Sequence, residues 1–208
     1  STAIGYNSTA SGGYSTAMGR ITTASGFNST AMGRSTIASD YASTVIGHYN
    51  SSGSSVTNSA TSFNTANTAF VIGNGTYNVK SDAFKVMFNG DATLAGNLSV
   101  NSDARLKANI ISLGSTLTKL LQIDGKSYTM KKDENNKQKI GVLAQDIEKV
   151  FPELVSESNG IKSVNYQGLV PVLINALKEQ QSEIEILKQQ QAEIDELKEM
   201  VQELVSRN

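Results

Sequence analysis

Large apolar side chains are sparse in the first fifty residues and return at a fixed interval. Written in sevens that end at glycine, residues 1–47 read STAIG, YNSTASG, GYSTAMG, RITTASG, FNSTAMG, RSTIASD and YASTVIG. Glycine stands at 5, 12, 19, 26, 33 and 47, and Asp40 replaces it once. The residue before it alternates between large and small: Ile4, Ser11, Met18, Ser25, Met32, Ser39, Ile46. The period is therefore fourteen, with two short segments per repeat. A fixed period marks a solenoid-like architecture in which one repeat cannot bury its apolar face alone. A helix is excluded, because Ser, Thr and Gly are poor helix formers. Short extended segments joined by Gly-Tyr, Gly-Phe or Gly-Arg corners are expected, with Ile4, Met18, Met32 and Ile46 stacked in one column. That column is too thin to stabilise a monomer, so neighbouring chains are expected to supply the rest of the core. Asp40 breaks the pattern and is expected to loosen one corner. A disordered Ser/Thr linker would have no reason to keep this register.

Residues 50–68 are polar and low in complexity. Two strand-like runs follow. Phe70-Val71-Ile72 leads into a turn at Gly73-Asn74-Gly75. Ala83–Phe88 leads into Asn89-Gly90, a strong hairpin signal, and Asp91–Leu94 returns.

Beyond residue 101 the pattern turns to α+β. Lys126–Met130 and Gln138–Leu143 read as a hairpin around the charged turn Lys132–Lys137. Ala144–Val150 reads as a short helix stopped before Pro152, and Ile161–Val164 as a third strand. From about residue 166 to 206 the chain reads as one helix, with Pro171 near its start, where proline does least harm. Leu187, Ile194 and Val201 are seven apart, as are Leu197 and Leu204. This is a coiled-coil seam, interrupted at Gln190 and Gln191, with Ile184 one place out of phase. The open alternative is a single amphipathic helix docked on its own domain. In a parallel coiled coil, Ile at one seam position with Leu at the other favours a dimer.

Charge sharpens the division. Residues 1–101 hold four basic and three acidic side chains, and residues 102–208 hold fourteen and sixteen. Three segments are expected: repeats over 1–50, a β-rich bridge over 51–101, and a charged domain over 102–208. The net charge of −1 gives no broad attraction to nucleic acid or to an anionic membrane. No apolar run approaches the roughly 20 residues that span a bilayer, so no membrane insertion is expected. The chain starts at Ser1 rather than methionine and reads as a fragment of something longer. There is no cysteine, and His48 is the sole histidine. Thiolate catalysis and a multi-histidine metal site within one chain are excluded, and no cofactor is expected. A glycosidase would need two facing carboxylates, and the first half offers Asp40, Asp82 and Asp91 alone.

The repeats resemble the heads of trimeric autotransporter adhesins, whose repeats read much like STAIGYNSTASGGYSTAMG and form trimeric left-handed β-rolls. In the second half, the following order carries a second resemblance: Ser102–Lys107, Asn109-Ile110, Ile123–Tyr128, Ile140–Val155, Lys162–Tyr166 and Leu169–Glu179. It resembles the C-terminal intramolecular chaperone of endosialidase-type phage tailspikes. That resemblance implies a serine–lysine self-cleaving endopeptidase, active after trimerisation, which releases itself from the folded fibre. By position Ser102 matches the nucleophile and Lys107 the general base, with Asn101–Ser102 as the scissile bond. The residue types suit the task, since a desolvated lysine serves as base where histidine is absent. Read without the resemblance, Ser102 and Asp103 are helix-cap residues, and Asp103 is favoured as a cap.

The fold expected is mixed: an N-terminal trimeric β-roll or β-prism fibre, then an α+β chaperone domain ending in a long coiled-coil helix. Both resemblances imply a homotrimer, which overrides the dimer preference of the seam. The function expected is a chaperone that drives trimerisation of a virion tail fibre or spike and frees itself by autoproteolysis. The alternative is an adhesin of the bacterial cell surface or exterior, whose C-terminal domain is a retained, non-cleaving clamp. A host cell-surface receptor or glycan is the outside partner in either case.

Overall fold

The computed structural model describes residues 1–131 and 136–207. The chain divides into two compact units, Ser1–Asp103 and Ala104–Asn208. The first is a β-solenoid of stacked coils. The second combines short strands with a long C-terminal helix.

In the first unit, five-residue strands alternate with two-residue ones. In chain order they are β1 (Thr2–Tyr6), β2 (Thr9–Ala10), β3 (Thr16–Arg20), β4 (Thr23–Ala24), β5 (Thr30–Arg34), β6 (Ile37–Ala38) and β7 (Thr44–His48). Each long strand pairs in parallel with the long strand fourteen residues on, and the short strands do the same. The register places Ile4 beside Met18, Met18 beside Met32 and Met32 beside Ile46, as the period requires. After an excursion the chain returns as β8 (Thr68–Asn74), a fifth long rung that sets Ile72 beside Ile46. Strand β9 (Asp82–Met87) folds back on β8, and β10 (Ala92–Leu94) pairs with β9 across the Asn89-Gly90 turn.

The corners are not where the glycines are. Gly5-Tyr6, Gly19-Arg20 and Gly33-Arg34 lie inside the long strands; Gly26-Phe27 does fall at a turn. The chain instead turns through left-handed residues at every seventh position: Asn7, Tyr14, Ile21, Asn28, Ser35, Ala42 and Tyr49, with φ between 43° and 59°. Such a conformation costs roughly 1–2 kcal/mol for a non-glycine residue. Hydrogen bonds to the preceding coil hold it, as from Ile21 N to Tyr6 O at 2.8 Å and from Ala42 N to Phe27 O at 2.8 Å. The in-strand glycines answer a different need. A Cβ on Gly19 would lie 2.0 Å from the carbonyl oxygen of Gly33, and φ there is +129°.

The large apolar column faces outward. Ile4, Met18 and Met32 are 52%, 42% and 36% exposed, whereas Ala17, Ala31, Val45, Val71, Ala24 and Ala38 are fully buried. The roll is so narrow that its interior takes methyl groups and buried hydroxyls, among them Ser15, Thr22, Thr36 and Ser43. A buried CH₂ contributes roughly 0.8 kcal/mol, so a mostly alanine core stabilises one chain little.

Three buried polar side chains close the stack. Asp40 does not loosen its corner. It is wholly buried and accepts hydrogen bonds from the amide and hydroxyl of Thr57, at 2.6 and 2.8 Å, and from both groups of Thr68. Asn50 accepts from Ile37 N at 2.8 Å and donates to Ile37 O at 2.9 Å, taking the place of the next short strand. Asn67 ties Asn58 and Ser59. The polar stretch after the repeats is thereby ordered from within. Position 40 takes a side chain because the donor-bearing Thr57 and Thr68 meet it there, where another repeat would bring a glycine corner. At Gly12 and Gly26 the coil that follows brings a carbonyl oxygen to 2.1 Å from the place of a Cβ.

The second unit holds helix α1 (Leu117–Leu120), the antiparallel pair β11 (Lys126–Tyr128) and β12 (Lys139–Gly141), helix α2 (Ala144–Val150), the hairpin β13 (Val155–Ser158) and β14 (Ile161–Val164), and helix α3 (Leu169–Ser206). Of the charged turn expected at Lys132–Lys137, residues 132–135 lie outside the described residues. Strand β14 was legible as a strand; its partner β13 and the intervening Asn159-Gly160 turn were not. Ile147, Phe151 and Val172 form a small buried core, with Leu120, Val142, Val164 and Leu169 against it. Only the start of α3 joins that core, through Leu169 and Val172. Every described residue from Gln180 to Arg207 is exposed. The helix is not docked along its length on its own domain; a stretch of some 40 Å, at about 1.5 Å per residue, has no cover from the described residues. No helix among the described residues is long and apolar enough to cross a membrane.

Candidate functional site

The segment that carries the candidate chemistry has no burial of its own. From Asn89 to Ser115 every residue is exposed. Beyond β10 its regular structure is one 3₁₀ turn, Ala104–Leu106, closed by a hydrogen bond from Lys107 N to Ala104 O at 3.1 Å. Asn101 and Ser102 precede that turn in irregular chain, at the end of the first unit. Lys107 follows it, near the start of the second, and both Ser102 and Lys107 are exposed. Ser102 is not the residue next to a regular α-helix: the first α-helix starts at Leu117, and Asp103 directly precedes the 3₁₀ turn. Asn109, two residues beyond Lys107, adopts a left-handed φ of 53°. Around Lys107 stand Leu106, Ile110, Ile111 and Leu113, exposed by 70%, 67%, 85% and 52%. Four large aliphatic side chains so exposed lie within eight residues of sequence.

The segment rejoins ordered structure at Thr116, and the anchor is Glu179. Its carboxylate accepts from the Ser115 hydroxyl at 2.5 Å and from Thr116 N at 2.5 Å, while the Thr116 hydroxyl donates to Val172 O at 2.9 Å. The carboxylate sits at the start of α1, where unpaired amides favour negative charge. The Ser115 hydroxyl bond, then the Thr116 amide bond, hold Glu179 below its ordinary pKa. Thus α3, which leaves the domain as an uncovered helix, also fixes the C-terminal end of the exposed segment. Elsewhere in the unit Lys162 bridges Glu148 at 2.5 and 2.7 Å and Glu157 at 3.3 Å, and the Glu148 bond raises its pKa.

The uncovered part of α3 presents its seam as an open apolar groove. Ile194, Leu197 and Val201 line it together with Lys198 and Gln202. Ile184 and Leu187 continue the exposed apolar row N-terminally. Two structural roles had no local sequence signal: Glu179 works across more than sixty residues, and Asp40 across twenty-eight.

Both halves match known families. Residues 102–156 match the model of a peptidase family described as chaperone of endosialidase. Residues 1–20 and 24–50 match two copies of the YadA head domain repeat. Among curated proteins, the chain is 30% identical over 105 residues to a long tail fiber protein Gp37 of Salmonella phage S16, covering 46% of this chain and 14% of that protein. It is 31% identical over 118 residues to the long tail fiber protein Gp37 of Escherichia phage AR1, covering 52% of this chain and 10% of that protein. The chain thus spans a small fraction of the length of these relatives.

Proposed function

We propose that this chain, an adhesin-head-type roll followed by a chaperone-of-endosialidase domain, is part of a trimeric virion tail fibre, and that residues 102–208 assemble the trimer and then cut themselves free. The observation that carries the reading is the pair of uncovered apolar rows, one in each unit. The Ile4–Met18–Met32 column on the roll and the α3 seam both run along the stacking or helix direction. Each is what a copy of the same chain at the same height would cover.

The cleavage step is assigned to Asn101–Lys107 by the resemblance of residues 102–156 to the chaperone of endosialidase. Lys107, once neutral, takes the proton of the Ser102 hydroxyl as Oγ attacks the carbonyl carbon of Asn101. The C–N bond breaks, and the proton passes to the Ser102 nitrogen, which leaves as an amine. Asn101 is then held as an ester on Oγ. Water hydrolyses that ester, giving Asn101 a carboxylate and making Ser102 a new N-terminus. The base must be desolvated to be neutral near pH 7. In the single chain Lys107 is exposed. Cover from another chain, with Leu106, Ile110 and Ile111 as its apolar lining, would desolvate the base and couple cutting to assembly.

Mass spectrometry and N-terminal sequencing of freshly expressed chain test this. A terminus at Ser102 is the expected product, lost in Ser102→Ala while a folded trimer remains. Lys107→Arg keeps the charge but cannot act as a base, so it also leaves the chain intact. A cleaving Lys107→Arg variant refutes the dyad. An intact wild-type trimer points to the retained clamp of an adhesin. A gene truncated after Asn101 yields misassembled roll; efficient trimerisation of that truncation removes the chaperone role.

A further inference from the structure

The roll carries almost no charge, and what it exposes has one sign. Arg20, Arg34 and Asp40 are the formally charged side chains of residues 1–50. Asp40 is wholly buried among hydrogen-bond donors, while both arginines are exposed. The sheet register places Arg34 beside Arg20 on the next coil, with Tyr6 before them and His48 after. Adjacent coils lie about 4.8 Å apart, so the two arginines leave neighbouring coils on one face. Like charges so placed are destabilising, and neither has an ion-pair partner among the described residues. Another copy of the roll would bring more arginine and no exposed carboxylate, so assembly of rolls does not neutralise them.

Aromatic rings steady both groups. Arg20 lies over Tyr6 at 5.8 Å and Arg34 over Tyr49 at 5.9 Å. His48 meets Tyr49 edge-on at 4.6 Å, and its Nδ1 donates to Gly75 O at 2.8 Å. Tyr77, 82% exposed, lies beyond Tyr49. An arginine stacked on a ring keeps its N–H edge free for bidentate contact with a carboxylate or phosphate.

From this column we infer that the roll binds an acidic polysaccharide, its sugar carboxylates paired to Arg20 and Arg34 and its rings against the exposed tyrosines. A sugar chain suits a surface of hydroxyls and aromatic rims that could bind uncharged hydroxyl groups between the acids. Nucleic acid is disfavoured, since the site offers two guanidiniums in a chain of net charge −1. The inference does not depend on cleavage or on the chaperone role.

The test is calorimetric titration of the full chain at low salt with an oligouronate, with neutral dextran of equal length, and with a single-stranded oligonucleotide of matched charge. Binding of the oligouronate that weakens with salt, with none to dextran, is expected. The double variant Arg20→Gln, Arg34→Gln weakens it at least about tenfold, with the circular dichroism spectrum and the oligomeric state of the parent retained. The double Arg→Lys variant falls between. Absence of oligouronate binding at millimolar concentration overturns the inference. So does equal binding by the Gln variant, or tighter binding of the oligonucleotide.

Discussion

Thr68 donates its backbone amide to the carboxylate of Asp40 at 2.8 Å, across twenty-eight residues, and its hydroxyl to the same oxygen. Thr57 donates its amide to the other carboxylate oxygen and its hydroxyl to the one that Thr68 uses. Asp40 therefore ends one mode of stacking and sews in the segment that replaces it. Asp40→Gly, which restores the repeat pattern, is expected to destabilise the roll. Four donors lose their acceptor, and leaving buried donors unpaired costs about 1–3 kcal/mol each before water or relaxation compensates. A net loss of roughly 2–4 kcal/mol should appear in chemical or thermal unfolding. A variant as stable as the parent would show that the network contributes nothing.

Gly19→Ala and Gly96→Ala form a matched pair. At Gly19 the new methyl meets a backbone oxygen that cannot retreat without opening the ladder, while at Gly96 nothing lies within 4 Å. The first should cost at least about 2 kcal/mol, from strain at positive φ and displaced hydrogen bonds. The second should leave the melting temperature within a degree or two. Equal effects would argue against close stacking of the coils.

Glu179 makes the second unit sensitive to acid. Its folded pKa lies below the ordinary value of 4.5, so its contribution is complete above about 4.5 and is lost as pH falls through the lowered folded value. Stability measured from pH 6 downward should drop in that window. In Glu179→Gln the drop should flatten and stability at pH 6 should be lower. An unchanged pH profile in this variant would remove Glu179 as the anchor of Thr116.

The seam of α3 can be tested without touching the buried core. Ile194→Asp with Val201→Asp places two charges where the exposed groove is most apolar. Sedimentation should show a lower mass, and circular dichroism a loss of helix, because a helix of this length without packing is marginal in water. A variant with unchanged mass and helicity would mean that the seam has no partner.

Much of this was legible, and what was not has physical reasons. The period of fourteen fixed the neighbours of Met18 correctly, because in-register parallel stacking follows from repetition alone. It could not say which face was inside. Alternation along a strand sorts residues into two sets, and large apolar groups are usually assigned to the interior. Here the interior is too narrow for them, and Ala17, Ala31 and Val45 fill it. The Asn89-Gly90 turn was readable because alternating apolar residues flank it. Asn159-Gly160 was overlooked because β13 is largely serine and glutamate. Helix α2 was readable from Pro152. Helix α1 was not, since its four residues hold their place through a carboxylate supplied by α3. At Asn101–Lys107 the residue types alone read as a cap; the order of motifs across residues 102–179 marked the segment as a candidate, and its exposure in the single chain had no signal in the sequence. The paired arginines were visible as letters fourteen apart, but their shared face emerges from the register.

The in-register roll behaves as a ruler with a stop. Each coil touches its neighbours through the same backbone contacts, so inserting or deleting fourteen residues ahead of Asp40 changes the height by one increment of about 4.8 Å and leaves every junction intact. Beyond Asp40 the same edit would sever the sewn segment. Roll height can therefore change in whole steps ahead of Asp40, while the segment sewn in beyond it stays fixed.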